Sequence, residues 1–198
     1  MNSIQKRHKQ TYNMVLVAIL AALVVVFQTI SNVIKIGPVS ITLTLIPVVL
    51  GGCLVGKKWG AALGFLFGVV VTVFVVTGTD IGGNMLYVAS PILTVTLCLV
   101  KGTAAGFIAS LIYTCFAKKN QTVAVMLAAM SAPVVNTGIF VSAMLLFYAD
   151  TLSAWAGGQN VMLYILTGLA GWNFVVEFAV STVLAPAIAS VIRKTKKM

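Results

Sequence analysis

Apolar residues fill this chain in long blocks, broken by short clusters of charged, glycine or asparagine residues, and that alternation reads as a series of membrane-spanning helices. The blocks predict helices near residues 12–33, 41–56, 59–77, 90–117, 121–149 and 161–193. The expectation is an all-α integral membrane bundle of six transmembrane helices, a single domain over residues 1–198. The second helix is short and contains Pro47, so it should be covered by its neighbours or sit partly within a cavity. Residues 4–9 and the apolar stretch behind them imitate a signal peptide. The stretch is long and no small-residue cleavage site follows it, so it is read as the first membrane helix.

The charges orient the bundle. Lys6, Arg7 and Lys9 precede helix 1, Lys57 and Lys58 separate helices 2 and 3, Lys118 and Lys119 separate helices 4 and 5, and Arg193, Lys194, Lys196 and Lys197 close the chain. Six spans put all of these on one side, eleven of the thirteen basic residues, while Lys35, Asp80 and Asp150 fall opposite. The N and C termini are therefore expected to be cytoplasmic.

Composition agrees with lipid as the solvent, since 60% of residues are apolar and only 8% charged. A net charge of +10 would suit nucleic acid, but here the charges punctuate apolar segments instead of clustering on a polar face, so no nucleic-acid partner is expected. Cys53, Cys98 and Cys115 each lie in an apolar run without metal-ligand spacing and are read as reduced packing residues. His8, in the basic tail, is the only histidine, which excludes histidine catalysis within the membrane. No metal site or cofactor is expected in this chain. The run Gly51 to Lys57 resembles a phosphate-binding loop, but Lys58 stands where Ser or Thr should hold magnesium and the run ends a helix. Any ATP used must be hydrolysed by another polypeptide.

Gly52, Gly56, Gly60, Gly64 and Gly68 recur every four residues, and Gly102 and Gly106 repeat the spacing, which makes smooth faces for close helix contact. Ala18 and Ala22 form a similar face on helix 1, suited to packing within the chain or to a partner subunit.

Two ionisable groups fall inside predicted spans, Lys101 and Glu177. A charge at the bilayer centre costs at least ~2.5 to 3.5 kcal/mol, so each should face the bundle and find a partner. With Asn136 they lie roughly 22 to 24 Å from the cytoplasmic ends of their helices, and Asn173 is one turn from Glu177 on the same face. One reading of this layer is a buried Lys101–Glu177 ion pair that only fixes packing. The other is a small-molecule pocket in which Lys101 meets an anionic group while Asn136, Asn173 and Glu177 bind amides or hydroxyls. Gln28 and Asn32 would extend the polar lining outward or sit at the interface. The outer loop from Gly78 to Ser90, with its glycines, Asn84, Met85, Leu86 and Tyr87, reads as a lid or as an interfacial anchor.

At this point the sequence resembles the substrate-binding S component of an energy-coupling factor (ECF) transporter, the vitamin importers of prokaryotes. The resemblance rests on length, helix number, the Ala18-x-x-x-Ala22 face, the segment Ile41-Thr-Leu-Thr-Leu-Ile-Pro-Val-Val-Leu-Gly-Gly, and Leu99-Val-Lys-Gly-Thr-Ala-Ala-Gly. It implies a non-enzymatic, high-affinity binding subunit in the plasma membrane, served by a transmembrane coupling subunit and two cytoplasmic ATPases that use ATP. Carried onto this chain, Ala18 and Ala22 would dock the coupling subunit. Lys101, Asn136, Asn173, Glu177, Asn84, Tyr87, Thr94, Gln28 and Asn32 would line the vitamin site. The segment Ile36 to Pro47 looks most like pantothenate-type members, with riboflavin or another vitamin as the rival. Outside the family, a membrane enzyme would need a fuller acid/base set, and a small secondary transporter would show an inverted repeat or proton-relay carboxylates.

Overall fold

The computed structural model describes residues 3–33, 35, 36, 39, 40, 42–169 and 171–197. Long apolar helices dominate it: α1 (Ser3–Val33), α2 (Leu45–Val55), α3 (Lys57–Val76), α4 (Ile81–Ala89), α5 (Pro91–Phe116), α6 (Gln121–Phe147), α7 (Ala149–Ala156), α8 (Val161–Tyr164) and α9 (Gly171–Lys197). A π-helical turn, Ile165–Leu169, joins α8 to α9, and a two-residue antiparallel ladder of β1 (Lys35–Ile36) and β2 (Val39–Ser40) lies between α1 and α2. Among the described residues five spans are long and apolar enough to cross a membrane: Arg7–Val33, Lys57–Val76, Pro91–Phe116, Gln121–Phe147 and Val161–Ser190.

The sixth apolar helix, α2, has 11 residues and covers only roughly 16 Å at 1.5 Å per residue. It survives at that length because it sits at the centre, packed against α1, α3, α5, α6 and α9. Pro47, Val48, Val49, Gly51, Gly52 and Cys53 are all buried there. The predicted start at residue 41 moves to Leu45; Ile41 itself, like Gly37 and Pro38, lies outside the described residues.

A single residue, Gly56, turns α2 into α3 at φ 115°, a backbone that side-chain-bearing residues rarely adopt. The phosphate-loop look-alike is thus a helix–helix corner, and Lys57 and Lys58 belong to the first turn of α3 instead of separating two helices. The glycine repeat does what its spacing implies. Gly60 lies against Gly106, Gly64 against Gly102 and Gly68 against Cys98, so α3 and α5 run antiparallel with their backbones in contact. This brings Lys57 and Lys58 to the same end of the bundle as Lys118 and Lys119.

Two predicted features are corrected. The outer loop Gly78 to Ser90 is mostly the helix α4, capped at its start by Asp80, which accepts a hydrogen bond from the Gly83 N–H at 3.2 Å. Its glycines serve contact instead of flexibility, since a Cβ on Gly83 would strike the Val75 side chain. Cys115 is exposed on α5, whereas Cys53 and Cys98 are buried as expected.

Apolar burial divides in two. One cluster, including Leu20, Val24, Leu45, Val48, Leu63, Phe67, Ala105, Ala128 and Ile188, holds α1, α2, α3, α5, α6 and α9 together. A smaller one, of Leu86, Met144, Tyr148, Leu152 and Ile165, joins α4 to the end of α6, α7 and the π turn.

Candidate functional site

Buried polar side chains gather in two places. The first is where the chain enters α2. Residues 42–44 are not helical, so their backbone N–H groups need other partners, and side chains from α1 and α9 supply them. The Thr42 N–H donates to Glu177 Oε1 at 2.7 Å, the Leu43 N–H donates to Ser31 Oγ at 3.1 Å, and the Thr44 hydroxyl donates to Gln28 Oε1 at 2.7 Å. Gln28, Ser31, Thr44 and Glu177 are buried. Glu177, only 4% exposed, keeps Oε2 without a hydrogen-bond partner. Asn173 is buried one turn away on α9. On α6, which packs against α9, Asn136 is buried with its Oδ1 unpartnered.

Ser31→Ala is expected to free this strap locally while leaving the helices in place. Loss of one buried hydrogen bond costs about 1–3 kcal/mol. Hydrogen exchange at the Leu43 amide should accelerate by a corresponding factor, with α3 and α5 amides unchanged; equal protection in variant and wild type would mean the strap is held by other contacts.

The second place is a cavity of about 40 Å³ lined by Val71, Val75 and Asp80, by Gly82, Gly83 and Leu86 of α4, by Thr94, Leu97, Cys98 and Lys101 of α5, and by Phe140 of α6. The Lys101 ammonium lies 5.2 Å from the centre of the Phe140 ring, within cation–π range. The Thr94 hydroxyl lies 2.9 Å from the Ser90 carbonyl, to which it donates, and 2.7 Å from Tyr148 Oη, a hydrogen bond that ties the start of α5 to the end of α6. Usual small-molecule sites have ~300 Å³ and above, so this space is far smaller than a whole ligand of that kind needs.

The two readings of the polar layer separate here. Glu177 Oε1 accepts from Thr42 and Oε2 has no hydrogen-bond partner, so Lys101 is not bonded to it and the ion pair is not formed.

The other predicted site residues fall as follows. Gln28 is buried where the chain enters α2 and accepts from the Thr44 hydroxyl. Asn32 is half-buried at the end of α1. Asn84 spends its amide N–H on the Val75 carbonyl at 2.9 Å, holding α4 against α3. Tyr87 is half-buried and packs on the main core. Ala18 and Ala22 are both exposed on α1, whose opposite face carries the buried Leu20, Val24 and Gln28. The sequence reading missed Ser31, Thr42, Thr44, Asp80 and Phe140 as neighbours of the polar groups. Only Asp80 had a local signal, an N-cap residue ahead of a short apolar run.

Among the described residues, buried acceptors without hydrogen-bond partners and a half-buried lysine thus stand within a bundle of long apolar helices, the costly placements that mark functional sites in membrane proteins. The chain matches the family described as the ECF transporter, substrate-specific component, over residues 12–192, and it belongs to that family. It is a substrate-binding subunit of an ECF transporter, a transport protein and not an enzyme, which works with components of an ECF module. No curated protein matches it.

Proposed function

We propose that this subunit captures a small water-soluble vitamin bearing one carboxylate together with hydroxyl and amide groups, and that pantothenate fits this description best. The observation that carries the proposal is the chemistry of the polar layer. Lys101 offers a cation with no bonded carboxylate, which calls for an anion, while Glu177 Oε2 and Asn136 Oδ1 are buried acceptors without donors. A carboxylate answers the cation, and hydroxyl or amide donors answer the two acceptors. Riboflavin is supported less well, because the cavity around Lys101 has Phe140 as its one aromatic wall among the described residues.

Ala18 and Ala22, small and exposed on α1, suit close approach of a transmembrane coupling subunit, and we assign the docking face to them. Two cytoplasmic ATPases would complete the module and use the ATP. The common end of Lys57, Lys58, Lys118 and Lys119 would face the cytoplasm of a prokaryotic cell membrane.

The test is titration calorimetry on the purified chain in detergent, without partners, against pantothenate and riboflavin, with mass spectrometry of any co-purifying small molecule. Saturable binding of pantothenate and none of riboflavin is the expected result. Binding of riboflavin alone would overturn the substrate assignment, and binding of neither, with no co-purifying vitamin, would overturn the vitamin reading.

A further inference from the structure

The cavity beside α4 is flanked by two opposite charges that do not meet. Asp80 and Lys101 both line it, with Cys98 on the same wall. Among the described residues neither makes an ion pair; Lys101 lies over Phe140 and Asp80 caps α4. The cap uses only one of the two Asp80 oxygens, Oδ1. A Cβ at position 83 would stand 3.3 Å from Oδ2, and among the described residues that second oxygen accepts no hydrogen bond. Both residues are half-buried, and a half-buried charge without a bonded counter-charge is stabilised by a ligand group of complementary character.

The chemistry of that group follows. It must present an anion to Lys101 and a hydrogen-bond donor to Asp80, within the width of a cavity of about 40 Å³. A compact dianion satisfies Lys101 but meets Asp80 as a like charge, a penalty that works as exclusion.

We propose that Asp80 is a specificity-determining residue of the substrate site, accepting a hydrogen bond from an N–H or O–H that lies close to the anionic group held by Lys101. The preferred substrates are therefore monoanions with a donor a few bonds from the charge, and compact dianions are turned away. The inference rests on reading Lys101 as the anion-binding residue.

Asp80→Asn isolates this role, because asparagine caps helices as well as aspartate does and keeps α4 in place while losing the charge. The probes are pantothenate, its analogue with the amide N–H replaced by an ester oxygen, and its analogue with phosphonate in place of the carboxylate. They are titrated into wild type, Asp80→Asn and Lys101→Ala in detergent, with thermal unfolding of each variant as a check on the fold. Wild type should prefer pantothenate to the ester by about tenfold or more, the worth of a hydrogen bond to a charged group. In Asp80→Asn the amide oxygen keeps the cap and the second position becomes an NH2, a donor that cannot accept from the substrate, so the preference should vanish or turn toward the ester. The phosphonate should gain on pantothenate in the same variant. If Lys101→Ala weakens pantothenate but Asp80→Asn leaves both ratios unchanged, Asp80 is only a cap and the inference is overturned. If pantothenate binding is absent, or indifferent to Lys101→Ala, the underlying site assignment falls and takes this inference with it.

Discussion

Replacing Lys101 with alanine is expected to weaken binding of the anionic substrate by about 10- to 150-fold, the loss of one hydrogen bond to a charged group at 1.5–3 kcal/mol. Several features of the site put the effect in this range. The ammonium is half-buried, so water screens it little, and it has no bonded carboxylate that would already neutralise it. Its position over Phe140 holds the charge toward the cavity instead of letting the stem extend to an interface. Lys101→Met keeps the length of the stem and removes the charge, so it should lose affinity as alanine does. If methionine retained wild-type affinity while alanine did not, the stem's packing against Phe140 would be the contribution and the anion would bind elsewhere. Calorimetry at two salt concentrations completes the test, with a weak salt dependence expected for a contact made out of water.

Gly64→Ala is expected to destabilise the bundle by about 3 kcal/mol, the upper part of the usual range for overpacking, although it adds one methyl group. A Cβ there would overlap the Gly102 carbonyl oxygen and stand 2.8 Å from its carbon and 3.2 Å from Thr103 Cα. All three atoms are backbone, so no rotamer change relieves the contact and α3 must move away from α5. Gly138→Ala is the matched control, because nothing lies within 4 Å of the position and it lines an outer groove between α5 and α6. There the helix propensity of alanine should stabilise by about 0.5–1 kcal/mol. Thermal unfolding in detergent should show opposite shifts for the two. Equal shifts would mean that α3 and α5 are not in backbone contact.

Much of this difference between glycines could be read from spacing alone. Gly60, Gly64 and Gly68 lie on one face of α3, and Gly102 and Gly106 on one face of α5, so a tight helix pair was foreseeable. Gly82 and Gly83 carried the same residue type to a different end. The sequence reads the loop that holds them as a lid or an interfacial anchor, whereas Gly83 lets α4 lie close to α3 and Gly82 is buried in that helix. Glycine has no side chain to tell these uses apart, and only the neighbour's position decides. The polar layer shows a similar division. Lys101, Asn136 and Glu177 were recognisable because charge and amide groups inside a span are expensive. Ser31 and Thr44 were not, because small hydroxyl residues occur throughout membrane helices and carry no comparable cost.

Lipid solvation, an all-α architecture, the side on which the lysines gather and the identity of the costly intramembrane residues were therefore legible in the chain itself. Each follows from transfer free energies that act on one residue or one helix at a time. Tertiary structure alone decided that Glu177 holds the Thr42 backbone and not Lys101, that α2 is a central helix of 11 residues, and that Asp80 shares a cavity with Lys101. Those outcomes depend on which distant segments meet, Thr42 and Glu177 being 135 residues apart. Helical periodicity places a side chain on a face of its own helix but carries no information about what stands opposite.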